Sequence, residues 1–142
     1  MARKLVTKLS NRECFTLTEK DTLKTASNKL QTHNVGVMPV LSEHDKSVIG
    51  IISERDLAQY ICRDEFKSDL LVDKIMTKNI VSCNLNNSVT ELMEIISSHK
   101  IRHIPIIEGK ELLGIVSIGD VVNHIIEQYK DENQQLRDFI NQ

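Results

Sequence analysis

The sequence has no tryptophan, two tyrosines and three phenylalanines, so aromatic residues make up 4% of its 142 positions. With 40% of residues hydrophobic, a core must therefore be built from Ile, Val and Leu. Three cysteines, Cys14, Cys62 and Cys83, stand without any Cys-x-x-Cys spacing. An odd count so spaced excludes a disulfide framework and fits free, mostly buried thiols in a reducing compartment. No apolar run approaches the ~18 residues of a membrane span, and no apolar stretch of signal-peptide type follows Met1-Ala2-Arg3-Lys4. The expectation is a cytoplasmic protein without a membrane partner.

Charge of one sign is also missing. Net charge is −2, the pI is about 6.2, and no run of five like charges occurs. Such a balance disfavours nucleic acid as a partner, because phosphate binding draws on a basic stripe. Catalytic signatures are absent as well: there is no Gly-x-Ser-x-Gly, Walker, His-Glu-x-x-His or Gly-x-Gly-x-x-Gly pattern. Cys83 has no identifiable base partner. His99 and His103 have no Cys or carboxylate to complete a ligand set, so no metal is expected. The chain reads as a non-enzyme.

What is there is a repetition. Gly50-Ile51-Ile52-Ser53-Glu54-Arg55-Asp56 returns as Gly114-Ile115-Val116-Ser117-Ile118-Gly119-Asp120. In each, a β-branched run ends in Ser and passes into an apolar-periodic segment, which reads as a buried strand entering a helix. A shift of 66 residues places Thr16 on Ser82, His33 on His99 and Pro39 on Pro105. After a turn shorter by two, a shift of 64 places Ser53 on Ser117 and Asp56 on Asp120. The order is β-α-β-β-α, twice, an α/β (α+β) fold of two repeats packed sheet to sheet.

The first unit is read as a strand at Cys14 to Leu17, a helix through Leu23, Ala26 and Leu30, then strands at Val35 to Leu41 and Val48 to Ser53. Pro39 places the former at an edge or at irregular pairing. The second unit is read as a strand at Ile80 to Cys83, a helix capped by Ser88 with Glu91 three residues on, then strands at Ile101 to Ile107 and Leu112 to Ser117. Boundaries fall at 1–13 for a lead-in that adds at most an edge strand, 14–66, a linker at 67–77, 78–129, and a helical tail at 130–142.

Two chemistries compete at the repeated element. Ser-x-x-Asp before an apolar run is a helix capping box. Equally, unpaired N–H groups at a helix start attract phosphate, and a nearby carboxylate grips a sugar diol. Taken alone each element reads first as a cap; the duplication, with the preceding Gly and strand, keeps the second reading open. Arg55 in the first copy is a cation suited to phosphate, and Gly119 in the second allows close backbone approach. Before the proline strands the first unit has Gly36-Val37 and the second Arg102-His103.

These residues resemble the cystathionine-β-synthase (CBS) domain pair, or Bateman module, over roughly residues 10 to 130. The resemblance rests on Gly50-Ile51-Ile52-Ser53-Glu54-Arg55-Asp56-Leu57, its second copy through Val121, the strands Val37-Met38-Pro39-Val40 and His103-Ile104-Pro105-Ile106, and Lys74-Ile75-Met76-Thr77. It implies a homodimer that binds AMP, ADP, ATP, NAD or S-adenosylmethionine between the repeats, AMP foremost, to regulate an unidentified protein target. By the same resemblance Asp56 and Asp120 take ribose, Ser53 and Ser117 contact phosphate, and Arg102 and His103, where nucleotide-binding members place basic residues, mark the second copy as the tighter site. Adenine lies against strands carrying Thr16, Val37, Pro39, Ser82, His103 and Pro105. The alternative is a ligand-free dimerisation scaffold.

Overall fold

A computed structural model describes residues 5–10, 12–64 and 67–141. Residues 1–4 and 11 of the lead-in, the end of the first unit at 65–66, and residue 142 lie outside the described residues. The element order is α1 (Leu5–Leu9), β1 (Leu17–Thr18), α2 (Leu23–Thr32), β2 (Val37–Leu41), β3 (Val48–Ser53), α3 (Glu54–Cys62), a 3-10 turn (Val72–Lys74), α4 (Val89–His99), β4 (His103–Glu108), β5 (Glu111–Ser117) and α5 (Ile118–Ile140). One sheet has the order β1-β2-β3, and the second pairs β4 with β5.

Helix starts follow local chemistry. Thr22 accepts from the Thr25 N–H to begin α2, and Ser88 with Glu91 forms a capping box at α4. These side chains satisfy orphan N–H groups that the first helical turn leaves unpaired. The first strand of each unit is shorter than the sequence predicts. β1 keeps only Leu17 and Thr18, and the stretch Ile80 to Cys83 is reduced to one bridge, Cys83 with Ile106.

That shortness explains the prolines. Pro39 is not on an edge strand: β2 lies between β1 and β3, and Pro39 faces Ile51. β1 pairs only with Val40 and Leu41, so no ladder partner waits at Pro39. In the second unit Cys83 donates to the Pro105 carbonyl at 3.0 Å, and Ile107 donates to the Cys83 carbonyl at 2.9 Å. The Pro105 nitrogen points to that same side, past the end of the one-residue bridge. A missing donor costs nothing there.

Each unit has its own core. Leu17, Leu23, Leu30, Met38, Val40, Ile52 and Leu57 gather in the first; Leu92, Ile96, Ile104, Ile106, Val116 and Val121 gather in the second. The segments preceding the units are exchanged. Leu5, Val6 and Leu9 of α1 fill the second core, so the lead-in is a helix and not the expected edge strand. Val72 and Met76 fill the first core. Ile51 and Thr77 exchange hydrogen bonds at 2.9 Å each, and Val72 donates to the Asp21 carbonyl at 2.8 Å.

This exchange accounts for the glycine of the repeated element. A Cβ at Gly114 would sit 2.8 Å from the Leu9 carbonyl oxygen, and one at Gly50 would run into the Met76 side chain. Backbone cannot yield as a flexible thioether can. Gly114→Ala should therefore cost about 1–3 kcal/mol of stability, as overpacked sites do, and Gly50→Ala less. Denaturant titration of both variants checks this. A Gly50→Ala loss equal to or above that of Gly114→Ala would contradict it.

Candidate functional site

The repeated elements begin α3 and α5 in the same way. Ser53 donates its N–H to Asp56 Oδ2 at 2.8 Å, and Asp56 donates its N–H to Ser53 Oγ at 3.1 Å. The second copy repeats these bonds between Ser117 and Asp120 at 2.9 and 3.1 Å. Both are complete capping boxes. Each box also faces a cleft between the two units.

The first cleft, of about 320 Å³, contains Ser53, Arg55, Asp56, Arg102 and His103, with Lys100 and Pro105 on the same wall. The second, of about 380 Å³, contains Ser117, Asp120, His103, Arg12, Phe15 and Asn34. Both volumes fall in the ordinary range of small-molecule pockets. The clefts correspond under the internal repeat: Phe15, Asn34 and Gly36 in one stand where Val81, Lys100 and Arg102 stand in the other. Gly36, Val37 and His103 line both.

Several sequence expectations shift. Arg102 lies in the cleft of the first copy, with Asp56, and not beside Asp120. His103 is opposite Ser117 in the β4–β5 pair, and Arg102, the residue before it, belongs to the wall facing the first unit. The cations Arg55, Lys100 and Arg102 therefore gather in the Asp56 cleft. Thr16 and Ser82 line neither cleft, because the walls end at Phe15 and Val81, before the chain enters the cores at Leu17 and Cys83. Pro39 and Gly119 are not lining residues either. Phe15, which stacks on His33 with ring centroids 3.6 Å apart, was not singled out, although an aromatic flanked by a cleft-facing strand start is a recognisable flat surface for a base.

The carboxylates are in different states. Asp120 is gripped by Arg12, whose Nη1 donates to Oδ1 at 3.1 Å and Nη2 to Oδ2 at 2.8 Å. Burial pushes its pKa up, but hydrogen bonds from Arg12 and Ser117 outweigh this and hold it below the usual carboxylate range. Asp56 accepts only from Ser53, leaving Oδ1 open among the described residues. Burial pushes the Cys14 and Cys83 thiols up to about 11, so neither is a thiolate nucleophile at neutral pH. Among the described residues no group of three His, Cys, Asp or Glu side chains is placed to hold a metal.

His103 bridges the clefts. Its pKa is lowered by burial, an effect reinforced by Arg102 and opposed by Asp120 and Glu54. The neutral ring is thus favoured in the folded state, and the unfolded chain binds its proton more readily. Stability from this group is present above the unfolded value of about 6.5 and is lost as pH falls through the lowered folded value. His103→Gln should reduce the drop in melting temperature between pH 7.5 and 5 relative to the native chain. An identical drop in both proteins would contradict this.

Comparison with known proteins agrees with this architecture. The CBS domain family model matches residues 6–63 and 72–127. The chain is 33% identical over 127 residues to the mitochondrial CBS domain-containing protein CBSX3 of Arabidopsis thaliana, covering 87% of this chain and 62% of that relative's length. The CBS-domain protein ATU1752 of Agrobacterium tumefaciens superposes with a TM-score of 0.76 at 35% identity, over 84% of this chain and 94% of that one. Two more distant CBS structures share the fold and hold ligands. The pair of MJ0100, with 5'-methylthioadenosine and S-adenosyl-L-methionine, has a TM-score of 0.78 at 21% identity, over 89% and 99%. PAE2072 of Pyrobaculum aerophilum, complexed with AMP, has 0.75 at 22%, over 82% and 88%. By two matched repeats along its length, this chain belongs to the CBS-domain family as a tandem CBS pair.

Proposed function

We propose that this CBS pair is a regulatory, non-catalytic module that binds an adenosine nucleotide between its repeats, with AMP the foremost candidate and ADP, ATP, NAD or S-adenosylmethionine as others. The observation that carries this reading is the Asp56 cleft. There the Asp56 carboxylate, with an open oxygen, stands at a helix start in the same cleft as Arg55, Lys100 and Arg102. A ribose diol would donate to Asp56 while phosphate meets the guanidinium groups and the α3 N-terminus. Distant relatives of the same fold hold AMP or S-adenosylmethionine, which supports the ligand class.

Regulation would follow from geometry. A nucleotide touching Asp56 on one repeat and Arg102 on the other favours the arrangement in which both contacts are made, shifting the population of that arrangement. The module would act as a cytoplasmic homodimer. Ile61 on α3 and Ile125 on α5 occupy equivalent places in the repeats, and both are exposed. Apolar faces of that kind are what a second copy covers. Replacing both by Asp should convert the dimer to a monomer in sedimentation; a native chain already monomeric would exclude the dimer.

Calorimetric titration with AMP tests the ligand. Asp56→Ala should weaken binding roughly 10- to 150-fold, the worth of ~1.5–3 kcal/mol in charge-assisted hydrogen bonds. Loss of the cap adds about 1 kcal/mol of destabilisation. Affinity unchanged while stability falls would make Asp56 a cap alone and favour the ligand-free scaffold.

A further inference from the structure

We infer that Arg12 decides which of the two clefts takes the nucleotide, by occupying the carboxylate that would otherwise grip ribose in the second one. The inference rests on the nucleotide reading above and adds an inequality between two sites that the internal repeat would make alike. Arg12 and Asp120 are 108 residues apart in sequence, and Arg12, which follows α1 where that helix packs into the second core, lines the same cleft as Asp120. Its two nitrogens meet both oxygens of Asp120, at 3.1 and 2.8 Å. Nη2 also donates to the Ile115 carbonyl at 3.1 Å, on the strand behind that carboxylate. With Ser117 N–H already on Oδ2, no oxygen of Asp120 is left free of a donor.

The other cleft lacks this device. The position equivalent to Arg12 is Lys78, which has no ion pair or hydrogen bond among the described residues, and Asp56 keeps Oδ1 open. The difference is chemical as well as positional: a planar fork matches a carboxylate at two points, whereas an ammonium is a single point charge. The Asp120 cleft also has fewer cations, since among the described residues Arg12 is its one basic lining side chain apart from His103. Once Arg12 is spent on Asp120, the described residues leave nothing basic there for phosphate except a histidine whose neutral form burial favours.

Arg12 is half exposed, with 51% of its side chain accessible, against 18% for Asp120. A pair so close to water is a weak hold. Displacing it should cost a nucleotide up to roughly 5-fold in affinity rather than bar entry. The two clefts would fill in order, Asp56 first.

The test isolates the second cleft. In Asp56→Asn the first cleft is disabled, and calorimetric titration with AMP reads the second. Adding Arg12→Gln should tighten that remaining site up to about 5-fold, and Arg12→Lys should tighten it less, because charge is kept while the fork is lost. Melting temperature checks that each variant is folded; should Arg12→Gln fail to fold, the lysine variant alone decides the sign. Weaker or equal AMP binding after Arg12 is replaced would overturn the inference, and weaker binding would make Arg12 a phosphate ligand. That outcome leaves the nucleotide reading intact so long as the native chain binds AMP. If the native chain binds no nucleotide, the reading and the inference fall together.

Discussion

Everything in this molecule depends on the close approach of two exchanged segments to two glycines. The segment before each unit crosses to the other one: α1 lies over Gly114, and Val72 to Thr77 lies over Gly50. Neither passage leaves room for a Cβ. Because each core is completed by residues belonging in sequence to the neighbouring unit, separating the units would expose Leu5, Val6 and Leu9 on one side and Val72 and Met76 on the other. Full burial of a Leu, Val or Met is worth about 1.5–3 kcal/mol each, so several such residues hold the units against each other far more firmly than the scattered surface ion pairs do.

The clefts are by-products of that arrangement. With the units fixed, each helix-starting Ser-x-x-Asp faces the entry strand of the other repeat, and the gap between them is a few hundred cubic ångströms. The capping role and the binding role are then compatible. One carboxylate oxygen of Asp56 serves the Ser53 N–H and holds the helix start rigid, while the second stays available. A rigid, pre-positioned acceptor needs no reorganisation to meet a diol. The second cleft differs because a residue from the lead-in, Arg12, has entered it.

Much of this was legible in the sequence, for definite reasons. The duplication showed because strand and helix periods recur at fixed offsets, and the capping boxes at Ser53, Ser88 and Ser117 showed because their chemistry is local, confined to four residues. The expected strand starts at Cys14, Val35, Ile80 and Ile101 fall two or three residues before the observed pairing, since β-branched runs such as Ile80 to Cys83 signal extended backbone without saying whether a partner strand is there. The helix at Leu5 to Leu9 was missed although its apolar residues carry helical spacing, because a five-residue segment is decided by the core it enters. The placement of Arg102 and the Arg12–Asp120 pair could not be read at all. Contacts between segments up to 108 residues apart leave no local pattern.

The central claim is that an adenosine nucleotide sits between the repeats, in contact with Asp56 on one and Arg102 on the other. Backbone amide spectra recorded during titration with AMP test its location directly. The account predicts that the earliest shifts, at substoichiometric nucleotide, fall together on Ser53 to Asp56 and on Lys100 to His103. Shifts confined to one repeat, shifts centred on the exposed face of α5, or no shifts at all would contradict it.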